Sequence, residues 1–272
     1  MVNYIMQFLL STGAFVGRIN GRNHALLTEH HSEFDCDGFE FMIFPEFYND
    51  SEPVIESYCR ASLNIPVMHF DKEIGGDIGS ESKEDYAHGL RLLSNDLATA
   101  KRLGTKKAVI HLWGRKDSDK YTDLIYSRAG EVRDICLDNG VVPVFENIFC
   151  CVSSPLIHLE QLAERYPDIC FTIDTRPAQF HGELEKTLKS PVMKNVKHIH
   201  INDYAGGYLE WDKINPIPQP LNGNVDWTNF FSALKQLDFD GTVTLEAPAH
   251  LPVGVDSETL NRSLHLIRRN LE

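Results

Sequence analysis

Several features are scarce in this chain, and each absence excludes something. No apolar stretch is long enough to cross a bilayer, so no membrane partner is expected. No basic segment precedes the apolar residues at Met1–Phe8, which argues against a secretory signal. The six cysteines in 272 residues show no paired zinc-type spacing and do not make a disulfide framework. Cys36, Cys59, Cys136, Cys150, Cys151 and Cys170 read as small buried residues in a reducing cytoplasm, with the adjacent pair Cys150-Cys151 the odd one. Positive charge is also short. Lys and Arg total 26 against 39 Asp and Glu, a net charge of 26 − 39 = −13, so a phosphate backbone is repelled and nucleic acid is not an expected partner. Low-complexity segments, long linkers and composition breaks are missing, so residues 1–272 are expected to form a single domain. Nucleotide signatures are missing as well. Ser11-Thr12-Gly13-Ala14-Phe15-Val16-Gly17 fits no dinucleotide fingerprint. Gly75-Gly76-Asp77-Ile78-Gly79 reaches no Walker lysine and reads as a flexible loop.

What is present is a set of short apolar runs, four of which end on a potential metal ligand. They are Val141–Glu146, Ile169–Asp174, Val196–His200 and Thr242–Glu246. Runs of this length, rich in β-branched and aromatic residues, are the mark of buried parallel strands. In a barrel of such strands function gathers where they finish, at the C-terminal face. Three carboxylates and one imidazole arriving there make a hard, mostly oxygen cage suited to a divalent cation.

A βα alternation runs through the whole chain. Strands are expected at Tyr4–Leu10, Gly38–Phe41, Pro66–His69, Lys107–His111, Val141–Glu146, Ile169–Asp174, Val196–Ile201 and Thr242–Glu246. Helices are expected between them. Asp85–Leu103 has near-helical apolar spacing and stops at Gly104; Asp123–Asp138 stops at Asn139-Gly140. Ser153–Tyr166 begins with serines and Pro155, and Asp226–Leu237 and Asp256–Leu271 each open on an Asp suited to an N-cap. Eight strands alternating with helices predict an α/β fold, the (β/α)8 TIM barrel. Two long loops, Asp71–Lys83 and Asp203–Asn224, leave the face where function is expected, and either could close over a small substrate.

The second half of the chain carries a resemblance. Phe145-Glu146-Asn147, Ile173-Asp174-Thr175, His198-Ile199-His200-Ile201-Asn202-Asp203 and Leu245-Glu246-Ala247-Pro248 follow in the order of the ligand strands of the xylose isomerase-like TIM barrels. Leu221-Asn222-Gly223-Asn224-Val225-Asp226-Trp227 is similar to that superfamily's approach to its seventh helix. The superfamily includes sugar isomerases, ketose 3-epimerases, inosose dehydratases and endonuclease IV-type enzymes. The resemblance implies that Glu146, Asp174, His200 and Glu246 bind one divalent ion (Mn²⁺, Mg²⁺, Co²⁺ or Zn²⁺). It also implies that Glu146 and Glu246 move protons during isomerisation or epimerisation of a small sugar. An oxygen-rich set with one histidine suits Mn²⁺ or Mg²⁺ better than a structural zinc.

Other positions are candidates for substrate contact. His69 and His111 close the third and fourth strands, and in the superfamily such histidines contact substrate or extend the metal site. Trp113 could stack on a sugar's apolar face or pack in the core, and Glu40 could orient a hydroxyl or pair a cation. Arg18 is a further candidate, while His198 shares a face with His200 one layer deeper. Two departures from the superfamily pattern stand out. Pro177 occupies the place of a histidine three residues after Asp174, with Arg176 or His181 available to take over a contact; and Asp203–Tyr208 lacks the arginine usual in ketose 3-epimerases. A dehydratase or lyase of a polyhydroxylated ring, a non-catalytic sugar-binding barrel and, least favoured, a DNA-repair enzyme are the alternatives. A cytoplasmic protein is expected, and homo-oligomers are compatible with the sequence.

Overall fold

In the computed structural model, which describes residues 6–114, 118–149 and 152–272, eight parallel strands close into one barrel in chain order. They are β1 (Gln7–Ser11), β2 (Gly38–Met42), β3 (Val67–His69), β4 (Lys107–Ile110), β5 (Val142–Glu146), β6 (Cys170–Asp174), β7 (Val196–Ile201) and β8 (Thr242–Leu245). β1 pairs with β8 from Gln7↔Thr242 to Leu10↔Leu245 and so closes the ring. All eight expected strands are found, with ends that differ by a residue or so. Tyr4 and Ile5 of the first expected strand, and the pair Cys150-Cys151, lie outside the described residues.

The helices are α1 (Ala25–His30), α2 (Ser51–Arg60), α3 (Glu73–Ile78), α4 (Lys83–Leu103), α5 (Thr122–Asp138), α6 (Pro155–Arg165), α7 (Thr175–Phe180), α8 (Leu184–Lys189), α9 (Trp227–Gln236) and α10 (Ser257–Leu271). Their ends follow local chemistry. Ser82, Ser154, Asp226 and Asp256 each accept a backbone N–H of the first turn, at Asp85, Ile157, Asn229 and Thr259. Gly104 ends α4 in the left-handed region, φ 75°, where a side chain would be strained.

Packing forms two layers. A large apolar cluster fills the space between the sheet and the helices. Inside the barrel a small cluster of Leu9, Val67, Val109 and Val144 plugs the lower part. Side chains two apart on a strand share a face, so the same inward rows continue upward into His69, His111 and Glu146. The apolar plug below thus supports a polar layer above.

The segment after β3 differs from the sequence expectation. Gly75–Gly79 was expected to be a flexible loop, yet Gly75–Ile78 belong to α3 and are buried. Glycine's poor helix propensity hides this element, and packing overrides it. A Cβ on Gly75 would meet the Cβ and the carbonyl oxygen of His111, each at 2.6 Å, so only glycine lets the helix press against that strand end. Asp77 pairs with His88 of α4 at 2.6 Å. The segment after β7 is also anchored. Asp203 accepts N–H groups from Gly223 (3.1 Å), Val225 (3.1 Å) and the Trp227 indole (2.8 Å), which fastens the far end of the long loop to its start.

Gly75→Ala is therefore expected to lower stability by about 1–3 kcal/mol, the usual effect of overpacking. Equilibrium urea unfolding checks this; an unchanged midpoint would show that α3 can move away from His111 without loss.

Candidate active site

Glu146 ends β5, Asp174 ends β6, His200 is the penultimate residue of β7, and Glu246 directly follows β8. One ligand atom from each of the four can be chosen so that all lie within 4.8 Å of one another. The structure thus brings together the four residues singled out in the sequence. Two ligands bonded to one ion at about 2.1 Å are at most about 4.2 Å apart, so small side-chain rotations would close this set on a cation.

The hydrogen bonds show how the cluster is held. Glu146 Oε1 lies 2.7 Å from His200 Nδ1, and Oε2 lies 2.6 Å from His111 Nε2 and 3.3 Å from His69 Nε2. Asp174 Oδ1 accepts the Arg176 N–H at 2.9 Å and the Asn202 side-chain amide at 3.2 Å. The same amide donates to Glu246 Oε2 at 2.8 Å. Asn147 clamps the Asp174 backbone from the neighbouring strand, accepting its N–H at 2.6 Å and donating to its carbonyl at 2.9 Å. The roles of Asn147 and Asn202 were not assigned from the sequence. Their signal was present: Asn202 stands two residues beyond His200 and therefore on the same face.

Burial makes these charges depend on one another. Burial alone would lower the His200 pKa, but Glu40, Glu246 and Glu146 raise it well above the ordinary value. Burial would raise Glu146, and the charge of His200, with hydrogen bonds from His111 and His200, holds it well below the usual carboxylate range. Glu246 is lowered too, with His200 and Lys72 overcoming its burial. Asp174 moves the other way, to about 7, through burial and the neighbouring charges of Glu246 and Glu146. Burial also drives His111 down to about 4 despite Glu146, leaving a neutral imidazole. Three carboxylates and one imidazole, which would release its Nδ1 proton on binding, form a donor set whose chemistry fits a hard divalent cation. Two further groups have ligand atoms equally close: His69, His111 and Glu146, which shares Glu146 with the first, and Glu40, His198 and His200, which shares His200.

The remaining candidates are placed differently. Glu40 lies within β2, fully buried, with both oxygens engaged by His198 and His200. This is pairing with imidazoles, and it leaves no surface for a sugar hydroxyl. Trp113 is buried with its ring 4.5 Å from that of His158, which is core packing and not a stacking platform. Arg176 follows Asp174 directly; its guanidinium donates to the Ile214 carbonyl at 3.2 Å and lies 5.1 Å from the centre of the Phe149 ring. His181 caps α7 against Phe180, ring centres 5.0 Å apart. Arg18 is exposed. Phe149, Phe180 and Trp211 pack together beside Arg176, with Phe180 4.9 Å from Phe149 and 4.8 Å from Trp211. Cys36, Cys59, Cys136 and Cys170 are free thiols; Cys136 is buried as expected, Cys36 and Cys170 are half-buried, and Cys59 is exposed, against the expectation. Among the described residues no helix is long and apolar enough to cross a membrane.

The chain belongs to the xylose isomerase-like TIM barrel family, whose match spans residues 30–269. Solved structures of similar shape include 3-keto-D-glucoside 4-epimerase, YcjR, from E. coli, at 18% identity, TM-score 0.70, covering 97% of this chain and 99% of that one. D-allulose 3-epimerase from Methylomonas sp., solved with D-allulose, aligns at 14% identity, TM-score 0.73 and 98% of each chain. The IolI protein, solved with a zinc atom, aligns at 16% identity, TM-score 0.70, covering 97% of this chain and 96% of that one. At such identities the likeness establishes the fold. No curated protein sequence matches.

Behind His69, the residue after next, Asp71, is fastened by Asp96 of α4. Asp96 is buried and accepts the Tyr48 hydroxyl at 2.6 Å and the Asp71 N–H at 2.9 Å. Burial raises its pKa to about 7, opposed by those two hydrogen bonds and reinforced by the charge of Asp71. An unfolded Asp titrates near about 3.9, so the folded chain holds this proton more tightly. The resulting stabilisation is complete below about pH 4 and disappears as pH rises through about 7. Asp96→Asn is expected to flatten the decline that this group causes across that window. Urea midpoints at pH 4.5, 6 and 8 check this; an identical slope in variant and parent would contradict it.

Proposed function

We propose that this protein is a divalent-metal-dependent isomerase or epimerase of a small sugar or sugar derivative. The observation that carries the proposal is the convergence of Glu146, Asp174, His200 and Glu246 at the C-terminal mouth of the barrel, with ligand atoms within 4.8 Å. The family and the sugar epimerases of similar shape support the same reading.

The four residues would hold one Mn²⁺, Mg²⁺, Co²⁺ or Zn²⁺ ion. When bound, such an ion draws electron density from a substrate carbonyl and its neighbouring hydroxyl and so makes the adjacent C–H more acidic. Glu146 or Glu246, as a carboxylate, would take that proton to leave an enediolate, and the other, once it has gained a proton from solvent, would return one from the opposite side. The two carboxylates come from β5 and from the end of β8, well separated around the ring, as inversion at carbon requires. Asn202 orients Glu246 and Asp174 together. His111, neutral and 2.6 Å from Glu146, holds that carboxylate in place. His69, Arg176 and His181 are the side chains proposed to meet substrate hydroxyls.

Two other readings have specific support. The group of His69, His111 and Glu146 favours a second ion sharing Glu146, which a metal content of two per chain would reveal. Pro177, and the lack of arginine in Asp203–Tyr208, favour a substrate other than that of the ketose 3-epimerases, including a polyhydroxylated ring that loses water.

Elemental analysis is expected to find bound metal in the parent and a large loss in His200→Ala; equal content would remove His200 from the ligand set. Glu146→Gln and Glu246→Gln should each lower turnover by at least about 10²-fold with the fold intact, given the usual contribution of acid–base groups. Wild-type rates in either variant would refute its assignment. Solvent deuterium appearing beside the substrate carbonyl without loss of water supports isomerase or epimerase. Net loss of water supports the dehydratase.

A further inference from the structure

A hydrogen-bonded chain runs down the barrel interior from His200 to the opposite mouth, and the chemistry above makes no use of it. His200 Nε2 lies 3.0 and 3.1 Å from the two oxygens of Glu40. Glu40 Oε2 lies 2.7 Å from His198 Nε2, and His198 Nδ1 lies 2.5 Å from Thr242 Oγ1. Thr242 Oγ1 accepts from Lys107 Nζ at 2.8 Å, and the same Nζ donates to the Lys197 carbonyl at 2.7 Å. Glu40, His198, His200 and Thr242 are buried. Lys107 and Thr242 open β4 and β8, and both line a cavity of about 850 Å³ at the N-terminal mouth.

With Glu40 ionised and His198 neutral, the donor inventory gives each bond a direction. Glu40, as a carboxylate, only accepts, so both imidazoles present Nε2–H to it. A neutral His198 with its proton on Nε2 has only a lone pair at Nδ1, and Thr242 must donate there. The Thr242 oxygen then has lone pairs left to accept, and Lys107 supplies the donor. Lys107 keeps two N–H groups whether charged or neutral, so both of its bonds survive either way. The Lys197 carbonyl, 3.5 Å from Thr242 Oγ1, is the more distant acceptor for that hydroxyl and already receives Lys107. At the upper end, His200 with Nε2–H on Glu40 points Nδ1 at Glu146 Oε1 (2.7 Å) and Glu246 Oε2 (3.7 Å).

We infer that Lys107 and Thr242 are positioning residues for the metal centre, acting through His198 and Glu40 to hold the His200 imidazole with Nδ1 toward Glu146 and Glu246. The inference rests on the proposed metal binding. Groups that orient a ligating imidazole commonly contribute 10- to 100-fold in metal affinity, and here they would act from the far mouth of the barrel. Removing the Thr242 hydroxyl orphans a buried acceptor on His198, which can recover a partner only by giving up its present tautomer or position.

The test is the Mn²⁺ dissociation constant, measured by chelator competition for wild type, Thr242→Val, Thr242→Ser and Lys107→Met, alongside ¹⁵N NMR of the histidine rings. Thr242→Val is expected to bind Mn²⁺ about 10- to 100-fold more weakly. Thr242→Ser, which restores the hydroxyl, should bind like wild type, and Lys107→Met should weaken binding to a smaller degree. In wild type, His198 should show an unprotonated Nδ1 and a protonated Nε2. Lys107→Met and the wild-type NMR supply the answer if Thr242→Val does not fold. Wild-type affinity in both Thr242→Val and Lys107→Met, or a proton on His198 Nδ1, would overturn the inference and leave metal binding standing. Failure of wild type itself to bind Mn²⁺ would remove the metal reading, and this inference with it.

Discussion

The barrel's upper half depends on one constraint: buried carboxylates must be answered by buried imidazoles. Glu40 and Glu146 are almost wholly removed from water, and His200 touches both. An uncompensated charge in that position would cost several kcal/mol or more. The carboxylates therefore hold the imidazole pKa well above its ordinary value, and Asp174, the carboxyl with the weakest compensation, is pushed up to about 7. A dication would take the place of the His200 Nδ1 proton as the counter-charge to Glu146, Asp174 and Glu246.

The fold supplies this arrangement at little local cost. Each strand contributes one or two inward side chains, apolar below and polar above, because residues two apart share a face. The Leu9, Val67, Val109 and Val144 plug excludes water from beneath. Helix α3, pressed on His111 through Gly75, and α4, fastened to Asp71 through Asp96, brace the β3 and β4 ends from outside. Precision at the cluster thus comes from rigid elements, while the loop Asp203–Asn224 is tied at its base by Asp203.

Much of this was legible in the sequence. β-branched and aromatic runs marked all eight strands, and a ligand-type residue at the ends of four of them marked the cluster. Helices with strong caps, such as α4, α9 and α10, were readable for the same local reasons. What escaped was non-local. α3 was hidden by Gly75 and Gly76, and the close approach of His111 explains the first of them. α1 and α2 carry no stop signal comparable to Gly104, and neither has a side-chain cap at its start. Trp113 and Glu40 each carried two readings, and what separated them was depth within the barrel, which a residue's identity does not reveal. The partnership of Glu40 with His198 and His200 spans about 160 residues of chain, and only the closure of the barrel creates it.

The central claim is that four strand ends share one ion. Anomalous diffraction from crystals soaked in Mn²⁺ tests it most directly. The account predicts a peak about 2.0–2.3 Å from His200 Nδ1 and from one oxygen each of Glu146, Asp174 and Glu246. A density map with no peak there, or with Mn²⁺ bound only at surface carboxylates, would contradict it.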